Sequence, residues 1–110
     1  MMYDKQENTS VFTREKTSFK EFKDAFDMAY SKAKNDNVII NLFSIKGTSI
    51  VDITEFLEPS QSHRENGKSF VIVAQNINFN DVPDELVVVP TLQEAKDIIE
   101  MEEIERDLGF

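Results

Sequence analysis

The chain has 110 residues, 40% of them apolar and nine of them Phe, which suits one packed core and excludes a disordered chain. It contains no Cys, which removes disulfides, thiolate nucleophiles and Cys-based zinc sites together. A formal charge of −9 repels phosphate backbones and anionic membranes, so neither nucleic acid nor a membrane is expected as a direct partner.

Residues 2–6 and 9–13 are two short runs either side of Glu7-Asn8. Asn tolerates the positive φ of tight turns, so this segment is expected to form a β-hairpin. Ser18 with Glu21 three residues on is a capping-box signature. Phe19, Phe22, Phe26, Ala29 and Ala33 follow at three- and four-residue spacing, predicting a helix of about 16 residues with one apolar stripe. The lysines here (Lys16, Lys20, Lys23, Lys32, Lys34) are interleaved with acids, which predicts a solvated mixed-charge face and no basic patch.

Val38 to Phe43 is apolar on both faces, as a central buried strand is. After the Ser44–Ser49 loop, Ser49 and Asp52 form a second cap, and Ile53, Phe56 and Leu57 supply an apolar face. Pro59 either kinks this helix or opens a second helical piece. Asn66-Gly67 is a stop signal. Phe70–Ala74 is a second buried strand, residues 75–85 read as a connection with little regular structure, and Leu86–Val89 is a third. Pro90-Thr91 with Glu94 opens the last helix, with Leu92, Ala95, Ile98, Met101, Ile104 and Leu108 as its expected apolar face. The alternation predicts an α/β fold: a mixed, mostly parallel sheet of four to five strands, in an order ββαβαββα or close to it.

The strand 38–43, the following loop and helix, Gly67, the strand 70–74, and then Val87-Val88-Val89-Pro90-Thr91-Leu92-Gln93-Glu94-Ala95 resemble the STAS domain, the family of bacterial anti-sigma factor antagonists and of the cytoplasmic domains of sulfate transporters. The resemblance covers roughly residues 37–105. It implies a single domain with helices mainly on one side of the sheet. It also implies a non-enzymatic regulatory or adaptor role through a kinase-like or sigma-regulator partner in the bacterial cytoplasm. In regulatory members an Asp-Ser-Ser-Gly motif carries a phosphorylated serine. The stretch Gly47-Thr48-Ser49-Ile50-Val51-Asp52 stands in its place, so Thr48 and Ser49 are the candidate acceptors, and Ile50 and Val51 occupy family serine positions. The final residues, 102–110, are similar to those of short chains described as ribonuclease Z. This suggests a second reading, a non-catalytic accessory partner of a metal-dependent nuclease.

The chemistry of each candidate can be weighed from its residues. A ribonuclease Z centre needs a His-rich two-metal cluster, and His63 is the one histidine, so no metal site, no cofactor and no hydrolysis by this chain alone are expected. His63 is expected at the surface. Ser60 or Ser62 with His63 lacks the spacing and the elbow of a catalytic triad, so no catalytic residue is assigned. Glu100, Glu102, Glu103, Glu105 and Asp107 are expected to form a solvated helix face. Gly47, Thr48 and Ser49 lead into a helix amino terminus, where an anion would gain about 0.3–1 kcal/mol from the dipole. The candidate partner surface comprises Asp52, Ile53 and Phe56 on the loop–helix edge and Ile104, Leu108 and Phe110 at the chain end. That end either packs on its own domain or docks on a partner or a second copy, giving a homodimer.

Overall fold

A computed structural model describes residues 1–15, 17–42 and 48–109. The hairpin joins β1 (Met2–Gln6) to β2 (Thr9–Thr13) in antiparallel register, Met2 opposite Thr13 and Gln6 opposite Thr9. Glu7, and not Asn8, takes the positive φ of its turn, at 56°. Ser18 caps α1 (Phe19–Ala29), its hydroxyl accepting the Glu21 N–H at 3.1 Å. The helix is shorter than the stripe suggests because its last turn tightens into a 3-10 turn at Tyr30–Lys32.

The next strand, β3, runs Asn37–Asn41; Phe43, expected to extend it, lies outside the described residues. Two helical pieces follow, α2 (Ile50–Thr54) and α3 (Leu57–Glu65). Pro59 falls in the first turn of α3, where a missing N–H interrupts no helical bond, so it opens a second piece and kinks nothing. Gly67, at φ 81°, ends α3 in the left-handed conformation. After β4 (Phe70–Val73), a connection with one 3-10 turn at Phe79–Asp81 leads to β5 (Val87–Val89) and then to α4 (Leu92–Asp107).

The sheet order is β1-β2-β3-β4-β5, with β2 through β5 all parallel. Each crossover steps the same way along the sheet, and the preference for right-handed crossovers puts such connections on one face. Phe22, Phe26, Ile53 and Phe56 accordingly pack with Phe12, Val38, Ile40, Phe70 and Ile72. No crossover follows β5, and α4 turns back over the opposite face, where Ala95 and Ile99 meet Val11, Ile39, Val71, Val73 and Val89. Helices therefore cover both faces, three on one and α4 on the other. Alternation along β3 sends Val38 and Ile40 to one layer and Ile39 to the other, so the middle of the strand is apolar on both faces. Among the described residues no helix is long and apolar enough to cross a membrane.

Candidate functional site

Of the residues read as candidate surface, two are core. Ile53 and Phe56 are 0% exposed. The Phe56 ring stacks edge-on against Phe26 at 5.5 Å and Phe19 at 5.8 Å between centroids, and lies 6.1 Å from Phe70. Ile53 on α2 and Phe56 at the cap of α3 both face the sheet and are consumed by it, so these side chains are unavailable to a partner. Gly47 and Phe110 lie outside the described residues.

Ser49 is exposed and makes a full capping box: its hydroxyl accepts the Asp52 N–H at 3.1 Å, and its own N–H donates to the Asp52 carboxylate at 3.3 Å. A phosphate on Ser49 would meet that carboxylate, a like charge. Thr48 has a different neighbour. Arg14 is 7% exposed, donates to the Thr17 carbonyl through Nε and Nη2, and reaches the Thr48 hydroxyl with Nη1 at 3.5 Å. Arg14 follows β2 and Thr48 follows β3, so the pair sits beyond the carboxyl ends of two parallel strands. With only five residues in α2, the dipole there is short.

His63, expected at the surface, is fully buried. Its Nε2 faces the Asp36 carbonyl at 2.7 Å, so Nε2 carries the proton and donates, and Nδ1 accepts from the Tyr30 hydroxyl at 2.5 Å. Burial lowers the His63 pKa below its ordinary value and raises that of Tyr30. Ser10 donates to the Asp36 carboxylate, and Lys5 lies 3.4 Å from the same group. These contacts tie α1, α3, the hairpin and the start of β3 together and hold the fold.

The chain's last helix carries the other cluster. Its inward seam begins apolar, with Ala95 and Ile99, and continues polar, with Glu102 and Arg106. Glu102 accepts from Arg64 Nη1 at 3.1 Å and from the Ser69 hydroxyl; Arg106 Nη2 donates to the same hydroxyl at 3.2 Å and to the Asn37 side chain at 3.4 Å. Glu103 accepts from Asn8 and Asn37. Two of the acids expected to be solvated, Glu102 and Glu103, are thus bound at the amino-terminal end of the parallel strands. Meanwhile Met101, Ile104 and Leu108 point outward, 58%, 54% and 64% exposed. The expected apolar stripe drifts for a geometric reason: each three-residue step falls about 60° short of a full turn, so residues 92, 95, 98, 101 and 104 spiral from the sheet face to the outer face. The amphipathic polarity of α4 inverts halfway along its length.

Ile104 and Leu108 therefore lie together, joined by Met101 from the expected apolar stripe of α4. They are on the face of the sheet opposite Ile53 and Phe56, and at the other end from Thr48 and Ser49, so the two candidate surfaces are not contiguous. The signal that finds the inversion is a helical-wheel projection of α4 set against the inward pair Ala95 and Ile99. Among the described residues, no group of three or more His, Asp or Glu side chains converges as metal ligands would. No protein-family model and no curated protein matches the chain.

Proposed function

We propose that this chain is a non-enzymatic, STAS-like regulatory or adaptor domain of the bacterial cytoplasm. It acts by binding another protein through the outer face of α4. The mixed sheet and the passage from β5 through Thr91 into α4 support the STAS-like part of the reading. The observation that carries the binding part is the inverted half of α4. Carboxylate and guanidinium groups are turned inward, at the cost of satisfying them, while three large apolar side chains are left in water. Exposed apolar side chains that cluster at helical spacing mark contact surfaces more than scattered ones do. Binding in this reading needs no phosphate on Thr48 or Ser49, since both stand away from the docking face.

The test is affinity purification of the tagged full chain from its own cells, wild type beside the double variant Ile104→Ser/Leu108→Ser, with mass spectrometry of what is retained. The reading expects a protein held by the wild type and lost by the variant. Equal capture by both, or none by either, contradicts it. A nuclease among the lost proteins would favour the accessory-subunit role over signalling.

A further inference from the structure

The structure also bears on what kind of partner fits. We infer that the occupant of the α4 face is a basic amphipathic helix of the partner protein, a conclusion that rests on the protein-binding reading above and narrows it. Met101, Ile104 and Leu108 recur at three- and four-residue spacing over about 10 Å of helix, two turns. This matches the i, i+3, i+7 anchors by which one helix lies along another.

The exposed charges that adjoin the stripe are mostly acidic. Asp97 precedes it in line, Glu105 flanks it on one side, and Glu100 and Asp107 flank it on the other, all exposed. Hollows open beside the stripe on that second flank. One, of about 370 Å³, is lined by Lys68, Glu100, Glu103, Ile104, Arg106 and Asp107. The next, of about 330 Å³, lies between α4 and the hairpin turn, with Glu7, Glu100 and Glu103 on its walls against the cation Lys96. A lysine or arginine stem can lie against Ile104 with its head among these carboxylates.

The same charges argue against other occupants. A second copy packed through this face would bring Asp97, Glu100, Glu105 and Asp107 up to the same set of acids on the other copy, in a chain already at −9. Anionic lipid and nucleic acid meet the same repulsion. Complementarity of this kind steers encounter and suppresses wrong partners.

The experiment uses the isotope-labelled full chain and two synthetic helical peptides of one apolar pattern, one with Lys and Arg on its polar face and one with Glu there. Binding is read by fluorescence anisotropy and mapped by amide chemical shifts. The basic peptide is expected to bind at least tenfold tighter than the acidic one. Its shifts should cluster on 97–108, its affinity should fall at least tenfold in Ile104→Ser/Leu108→Ser, and it should weaken as salt rises. Equal binding of both peptides, shifts centred on α1 and α3, or concentration-dependent dimerisation through α4 would overturn the inference. If neither peptide binds but the purified partner is still lost from the Ile104→Ser/Leu108→Ser variant, the basic-helix inference fails and the protein-binding reading stands.

Discussion

Truncating Phe56 and truncating Ile104 should have very different costs, since one ring lies inside the core and the other side chain on the outer face of α4. Replacing Phe56 with Ala removes a ring that is 0% exposed and sits among Phe19, Phe22, Phe26 and Phe70. Deleting such a ring costs about 3–5 kcal/mol, because the surrounding aromatic side chains cannot all collapse into the space. Set against the ~5–15 kcal/mol that holds a domain together, that is a large share of the total. At about 4 °C per kcal/mol for a domain near this size, the melting temperature should fall by roughly 12–20 °C. Ile104→Ala removes a side chain that is 54% exposed, and should stay within about 0.5 kcal/mol of wild type. Urea unfolding followed by far-UV circular dichroism reads both. A Phe56→Ala loss below about 1 kcal/mol, or an Ile104→Ala loss of similar size to it, would refute the division of these residues into core and surface.

Three further outcomes follow from individual contacts. Ser60 is buried and its hydroxyl has no hydrogen-bond partner among the described residues, so Ser60→Ala should leave stability unchanged or raise it by up to about 1 kcal/mol, read by the urea midpoint. Glu102→Ala should cost about 1–3 kcal/mol, because Arg64 Nη1 and the Ser69 hydroxyl lose their carboxylate acceptor; a neutral result would show that these contacts do not anchor α4. His63 has a folded pKa lowered chiefly by burial, with Arg64 and Lys68 adding to the effect and Asp36 opposing it. The unfolded chain therefore binds more protons than the folded one below the ordinary value of about 6.5. Its contribution is present above that pH and is lost as pH falls toward the folded pKa. The wild type should lose stability between pH 8 and pH 5.5 by more than His63→Phe does; equal slopes would remove the histidine from the account.

Much of the architecture was legible because it rests on local rules. Ser18, Ser49 and Thr91 each accept the N–H three residues on, and the apolar runs at 38–40 and 70–73 are strands buried on two sides, while 87–89 is an edge strand half-buried at Val87 and Val88. What escaped the sequence is non-local. His63 reads as a surface residue on a polar helix until Tyr30 and Asp36 arrive from the preceding unit to pair with it. Ile53 and Phe56 became core because α2 and α3 lie on the crossover face, which depends on strand order. In α4, Glu102 and Arg106 face inward because Arg64, Ser69 and Asn37 meet them there, and no spacing rule within the helix names those partners.

In the function proposed for this chain, a partner protein sits on the outer face of α4 and not on the α2 edge. A photo-crosslinking amino acid placed in living cells at Ile104, and separately at the exposed positions Val51 on α2 and Met28 on α1, tests it most directly. The account predicts a crosslinked adduct with a different protein from position 104 and none from 51 or 28. Adducts from 51 or 28 with position 104 silent, or an adduct at 104 whose mass is that of two copies of this chain, would contradict it.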